Sequence, residues 1–361
     1  MMTNRDMKRA TIKDVARLAS VSLSTVSAVV NGKDIVSEET RSRVLEAVGR
    51  LDYQPSLYAS NLARHHTQIL GLIVSNLVNP FFAETAQVFE SESRKHGYQI
   101  SLLQTGFSQS RLRISVRQML GMRVAGLAVL TSEFDEEAFE LLKASNTPSV
   151  FLDVGNPGPH MGNISVDTKG GMILAVRHMV ELGHRDILFV RNSQTTETEL
   201  SLLSHRKRNE GFSEAIAKYR SKGVKGVIMD FPGPDTYAGL KAIRKALKTS
   251  HFTAVIAMTD LVALGVYHGL NEAGLRIPQD VSVIGFDNTY LAEFSSPAMC
   301  TVDISRKSMC EAAVGMLLEE ATSGKSGREF KLSTNLIVRN STAPPSNRKM
   351  PRKPVLNAKK S

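Results

Sequence analysis

Cysteine is nearly absent: the 361 residues contain two, Cys300 and Cys310. Two thiols on segments that read as strand and helix support neither a disulfide scaffold nor a cysteine-based zinc site, which leaves them as small buried side chains. Long apolar runs are missing too. VAGLAVL, 124–130, is among the longest, far short of the roughly 20 residues a membrane span needs. The opening stretch MMTNRDMKRA has charge but no apolar segment of the export-signal kind. These absences predict a cytoplasmic chain with no membrane partner. Motifs of catalysis are lacking as well: there is no G-x-S-x-G, H-E-x-x-H or C-x-x-C. SGKSG, 323–327, has Glu319 where a phosphate-binding loop needs its first glycine, and His65 and His66 are wrongly spaced to share a metal from one helix face. The expectation is no enzyme, no cofactor and no metal.

What is present is positive charge at the two ends. Residues 1–66 hold ten basic against seven acidic residues and 343–361 hold six basic and none acidic, so little of the net +10 is left for the body between. A near-neutral body with basic extremities suits contact with a polyanion, or simple solvation of a charged tail.

The first sixty-odd residues read as three short helices. Thr11 with Asp14 resembles a capping box, Ser22 can cap a second helix, and Ser37 followed by Glu38 and Glu39 opens a third that runs to about Leu51. Ile12, Val15, Ala16, Val26, Val29, Val30, Val44, Leu45, Val48 and Leu51 recur at helical spacing and predict one small core. Around the second helix, Leu23, Ser24, Ser27, Ala28 and Asn31 fall opposite its valines, on a small, neutral face expected to be exposed. Pro55 then ends the domain, and Ser56 opens a segment too short to hold a helix alone.

From Ile69 the texture changes. Apolar segments at 69–75, 98–104, 125–131, 149–153, 186–191, 226–231, 253–258 and 281–286 alternate with amphipathic helical patterns. Alternation of that kind predicts parallel sheets covered on both faces, and its length predicts two such units. HGYQISLLQ and LGHRDILFV form a loose internal repeat that supports two halves. The last twenty residues lack apolar periodicity, which predicts a disordered basic tail.

A first helix, a tight turn and a second helix with one docked and one free face are the parts of a helix-turn-helix. The residues carry more than that pattern. TIKDVARLASVSLSTVSAVVNGKDIVSEETRSRVLEAVGRLDYQPSLYASNLAR, 11–64, resembles the headpiece of the lac repressor (LacI/GalR) family of bacterial transcription regulators, and NPFF at 79–82, ELGHRDI at 181–187, RNEGF at 208–212, TDLVALG at 259–265, IPQDVSVIGFDN at 277–288 and VRNST at 338–342 extend the resemblance. It implies an all-α helix-turn-helix headpiece (1–55), a hinge helix and linker (56–66), an α/β two-lobed core of two doubly wound parallel sheets like a periplasmic binding protein (67–342), and a basic tail (343–361). It also implies a homodimer or tetramer on double-stranded operator DNA, answering to a small sugar-like or purine-like effector.

Residue by residue, the resemblance puts Leu23, Ser24 and Ala28 toward bases, and Thr11, Ser22, Thr25, Ser27 and Asn31 toward phosphates or the groove edge. Helix capping is the alternative for Ser22 and Thr25. Ala59 and Leu62 match the paired hinges, where leucine wedges into the minor groove; dimer packing is the alternative for Leu62. In the core it puts Phe81, Phe82, Arg208, Asp260 and Asp287 around the inter-lobe cleft. Either phenylalanine can instead be core, and Asp260 can instead cap a helix. The segment 192–208 is several residues longer than the family's usual connection, which can reshape the pocket.

Overall fold

The computed structural model describes residues 10–30, 35–53, 67–153, 161–193, 203–233, 235–323 and 327–346. The chain divides into two compact units, Met1–Thr67 and Gln68–Ser361.

The first unit contains α1 (Ile12–Leu18), α2 (Leu23–Val30) and α3 (Glu38–Arg50). Their starts follow from short polar side chains. Asp14 accepts hydrogen bonds from the Thr11 N–H (3.0 Å) and hydroxyl (2.7 Å), and the Ser22 hydroxyl accepts from the Thr25 N–H (3.1 Å). Ser37 stands before α3, but its hydroxyl donates to the Thr40 hydroxyl (3.0 Å) rather than capping the backbone. Val15, Ala16, Ala19, Val26, Val29, Val44 and Ala47 form the core, with Ile12, Val30, Val48 and Leu51 packed against it. Leu45, expected in that core, is 53% exposed. Val44, Ala47, Val48 and Leu51 already supply the inward stripe, and one residue's 100° step turns Leu45 away from it.

The second unit has two six-stranded sheets. The first has order β11-β5-β4-β3-β1-β2 and the second β12-β10-β9-β8-β6-β7. In the first, β1 is Ile69–Val74, β2 Gln99–Gln104, β3 Gly126–Leu130, β4 Ser149–Leu152, β5 Gly162–Val166 and β11 Glu329–Leu332. In the second, β6 is Asp186–Ser193, β7 Lys225–Pro232, β8 Ala254–Ala257, β9 Ser282–Asp287, β10 Cys300–Ile304 and β12 Thr334–Ile337. Pairing is parallel throughout except between β10 and β12. The covering helices are α4 (Pro80–Lys95), α5 (Gln109–Gly121), α6 (Glu136–Ser145), α7 (Thr168–Glu181), α8 (Leu203–Tyr219), α9 (Asp235–Thr249), α10 (Asp260–Glu272), α11 (Tyr290–Phe294) and α12 (Arg306–Ser323).

All eight expected strands form. The two expected halves form, and the chain crosses between them at Asp167, Ser305 and Ser333. After β10 it returns to the first lobe, where α12 lies on β3, β4 and β5 and against α4. Four short strands, β5, β10, β11 and β12, lie outside the eight expected segments, although the stretch around Cys300 in β10 reads as strand; β11 and β12 lie at sheet edges and carry polar residues. The tail is corrected too. Ala343 is held by the Ser282 hydroxyl and by His184, whose buried imidazole is pushed down to about 4 by desolvation and stays neutral. Described structure continues to Ser346.

Candidate nucleic-acid interface and ligand cleft

On α2, Leu23 is 44% exposed, Ser22 and Ser24 are exposed, and Ser27 and Thr25 are half-buried. Ser22 anchors a hydroxyl cluster, 2.7 Å from the Ser24 Oγ and 2.8 Å from the Thr25 Oγ1, so its capping role and its place at the helix entry coexist. Thr11 is exposed at the start of α1. Ala28 departs from expectation: it is 7% exposed although it lies outside the headpiece core. A lone methyl projects too little beyond the surrounding helix to present a reading surface. Lys13 and Arg17, one turn apart on α1, line a shallow depression with Ser22 and Leu23. These two cations fall in no motif of their own; their i,i+4 spacing close to Ser22 and Leu23 is the signal the sequence carries. Asn31, Ala59 and Leu62 lie outside the described residues.

In the core, both lobes present the carboxyl ends of their parallel strands to the cleft. Strand order reverses between β1 and β3 in one lobe and between β6 and β8 in the other, the places where open α/β sheets bind ligands. Arg208, carried by α8, reaches the second of these. Its Nη1 donates to the Met258 carbonyl (2.5 Å), its Nη2 to Asp287 Oδ1 (3.2 Å), and its Cζ lies 3.9 Å from the Phe286 ring centroid. Arg208 and Asp287 are 5% and 4% exposed. Burial pushes the Asp287 carboxyl up from the ordinary carboxylate range, opposed by Arg208 and Arg306 and reinforced by Asp260 and Asp235.

The other expected cleft residues divide. Phe82 is 8% exposed and belongs to the core, while Phe81 is half-buried and meets it edge to face at 5.6 Å. Asp260 is fully buried, and its carboxylate accepts from the Thr289 N–H (2.7 Å), the Thr289 hydroxyl (3.0 Å) and the Thr301 hydroxyl (2.6 Å). Thr259, not Asp260, caps α10. Asp260 therefore ties α10 to the loop after β9 and to β10. The glycine of IGFDN belongs to that contact, since a Cβ at Gly285 would stand 2.3 Å from Asp260 Oδ1.

Several cleft groups went unread in the sequence. Asp235, at the start of α9, accepts from Asn192 Nδ2 (2.7 Å) and, across the cleft, from Asn79 Nδ2 (3.4 Å); burial pushes it up to about 6. Asp153, after β4, is also pushed up to about 6 by burial, against the pull of Lys207 and Arg208. His205 is lowered to about 3 by desolvation and by Arg208 and Arg191, so its imidazole is neutral. None of these lies in a local motif; the fold alone brings them together. At the hinge, Arg306 donates to the carbonyls of Asp287 and Asn288 (both 2.6 Å) and pairs with Glu84 of α4 (3.1 Å), whose other oxygen accepts from the Tyr290 N–H (3.0 Å). Among the described residues no cluster could hold a metal, and no helix is long and apolar enough to cross a membrane.

Residues 11–56 match the family of bacterial regulatory proteins of the lacI type, and residues 176–342 match a periplasmic binding protein-like domain. The HTH-type transcriptional repressor PurR of Vibrio parahaemolyticus is 33% identical over 333 residues, covering 92% of this chain and 98% of that protein. The chain belongs to the LacI family. Among solved structures, the lac repressor dimer bound to operator and the anti-inducer ONPF aligns with this LacI-family chain at a TM-score of 0.79 and 26% identity, over 93% of this chain and 100% of that one. The transcriptional regulator CelR in complex with cellobiose aligns at 0.65 and 27%, over 92% and 100%. The headpiece and two-lobed core are thus the LacI-family architecture, and the full-length relatives are transcriptional regulators, not enzymes.

Proposed function

We propose that this LacI-family chain is a cytoplasmic transcriptional repressor that binds pseudo-palindromic operator DNA as a homodimer, or as a tetramer built from dimers, and is controlled by a small molecule in its inter-lobe cleft. The headpiece, 1–55, reads each half-site through Leu23 and Ser24, with Thr11, Ser22, Thr25, Ser27 and Asn31 setting register on phosphates or the groove edge. Ala28 faces the same groove but supplies little readout. Residues 56–66 form the hinge, with Ala59 and Leu62 in the minor groove, and 67–342 form the effector-binding and dimerising core. Arg208 and Asp287 hold the effector, Phe81 walls it, Phe82 backs that wall, and Asp260 braces the Asp287 loop.

The observation that carries this reading is the buried Arg208–Asp287 pair at the switch point of a core that follows a helix-turn-helix unit. Support comes from the operator and anti-inducer bound by the lac repressor dimer and from the cellobiose bound by CelR. Selection of bound sequences from a random DNA pool tests the DNA half. A two-fold symmetric site is expected, with relaxed selection at the base facing Ala28; no enriched site would overturn it. A thermal-shift screen of sugars, nucleosides and purines tests the other half, since ligand binding raises the melting temperature. Stabilisation that survives Arg208→Ala would move the effector site elsewhere.

A further inference from the structure

The places where such a cleft would hold an anion are occupied by the protein's own side chains. Helix N-termini attract phosphates and carboxylates through their free N–H groups and dipole. At the cleft, Asn79 caps α4 by accepting from the Phe81 N–H (3.0 Å), and Asp235 is the first residue of α9. Thr259 caps α10, with Asp260 as its first residue, and Glu84 takes the Tyr290 N–H at the start of α11. The cations are engaged as well. Arg208 has Asp287, the Met258 carbonyl and the Phe286 ring, Arg191 pairs with Asp230 (3.0 Å), and Lys207 stands beside Asp153.

Among the buried polar atoms without a partner, two belong to the side chains bonded to the Asp287 and Asp235 carboxyls: Arg208 Nε, a donor, and Asn192 Oδ1, an acceptor; Arg191 Nε and Asn209 Oδ1, their neighbours in sequence, are unpartnered as well. Arg208 and Asn192 are both 5% exposed. The orientation of Asn192 is settled chemically, because its NH2 must face the Asp235 carboxylate, which leaves the carbonyl oxygen free. Leaving either group unsatisfied in a buried site costs free energy that a complementary ligand atom recovers.

We infer that the cleft selects an uncharged ligand bearing hydroxyl or amide-like groups, which accepts from Arg208 and donates to Asn192, and that it rejects phosphorylated and carboxylated metabolites. The inference rests on the cleft being the effector site. An added anion would be buried near Asp153, Asp235 and Asp287 with no free cation or helix end among the described groups to receive it. An added cation would be buried against Arg208 and Lys207. Hydroxyls of a sugar or a nucleoside, and the donor–acceptor edge of a nucleobase, share the chemistry the site asks for.

Matched probes test this on the full chain by calorimetry and thermal shift: ribose against ribose 5-phosphate, glucose against glucose 6-phosphate, adenosine against adenosine monophosphate, and inorganic phosphate against chloride at equal ionic strength. An uncharged member should bind, and its phosphorylated partner should bind at least about tenfold more weakly, because like charges repel at a buried contact. Inorganic phosphate should stabilise no more than chloride. A phosphorylated member that binds as tightly as its parent overturns the inference, as does a panel with no uncharged binder. Asn192→Ala should weaken the uncharged probe while leaving the fold intact, and unchanged affinity would count against the assigned acceptor. Binding that persists in Arg208→Ala would instead overturn the placement of the effector in this cleft, a result distinct from failure of the charge rule.

Discussion

Asp153 sits after β4 with a left-handed backbone, φ +56°, where asparagine is at home and most residues are strained. Its carboxyl is raised from the usual 3.8 to about 6. The folded protein therefore holds this proton more tightly than the unfolded chain, and stability falls as pH rises between those values, with the full deficit present above about 6. Asparagine carries no such deficit. Asp153→Asn should raise the unfolding free energy by about 1–2 kcal/mol at pH 8, a range discounted for partial exposure, and the gain should vanish below about pH 4. Urea titrations at the two pH values check it; an equal gain at both would show that backbone preference, not titration, is responsible. The contrast with Arg208 is instructive, because that guanidinium is paired and its removal strands Asp287. Loss of one partner of a buried pair costs about 3–5 kcal/mol, so binding tests on Arg208→Ala need its melting curve alongside.

Among the elements, α2 shows how short polar side chains both start a helix and furnish its outer face. Ser22 caps it while Val26 and Val29 dock it on α1 and α3. On the proposed mode of binding, with Ala28 buried and no long side chain on the described part of its outer face, α2 should make few direct base contacts, which would shift discrimination toward residues 56–66 and the deformability of the operator centre. Leu62→Ala should therefore weaken operator binding by about 1–3 kcal/mol if the side chain wedges between bases, with the melting temperature of the core unchanged. Gel-shift titration against the selected operator reads this, and unchanged affinity would leave Leu62 as dimer packing. In the core, α4 has a comparable double role: its first turn carries Asn79 and Phe81 to the cleft, and Glu84 one turn later reaches the hinge clasp.

For the whole molecule, the clasp of Glu84, Arg306 and the Asp287–Asn288 carbonyls joins the lobe-crossing point to the residue that pairs with Arg208. Occupancy of the cleft and relative lobe position thus share one stretch of backbone, a route by which ligand binding can bias the angle between lobes. Glu84→Ala should destabilise the core by about 1–3 kcal/mol through the lost ion pair and helix-end contact and broaden the distance distribution between spin labels placed on the two lobes. An unchanged distribution would show that other contacts set the lobe angle. The C-terminal segment separates into two parts by the same logic. Removing 347–361, which holds six basic residues, should leave the melting temperature unchanged and flatten the salt dependence of non-specific DNA binding. A cut before Ser341 should destabilise the second lobe, since the Ser341 hydroxyl donates to the Val283 carbonyl (2.6 Å) and accepts from the Cys300 N–H (2.7 Å). Equal salt slopes with and without 347–361 would show that the tail is merely solvated.

The local features were legible in the sequence because neighbours along the chain determine them. Valine and alanine at helical spacing specified the headpiece core, Ser22 and Asp14 specified where helices begin, and the continuous apolar runs specified eight buried strands. Leu45, expected in the core, is exposed, and Ala28, expected to be exposed, is covered, because periodicity gives a residue's angle around a helix and not what stands against it. The interleaving of the lobes was not legible, since α12 and β11 return to the first lobe through contacts distant in sequence. The cleft shows the same division. Motif resemblance singled out Arg208 and Asp287, but the charge environment, the atoms left unpaired and the roles of Asn79, Asp153, Asn192 and Asp235 arise only when separate strand ends meet. Hydrogen bonding and desolvation act over a few ångströms in space, and that neighbourhood was decided by the tertiary fold.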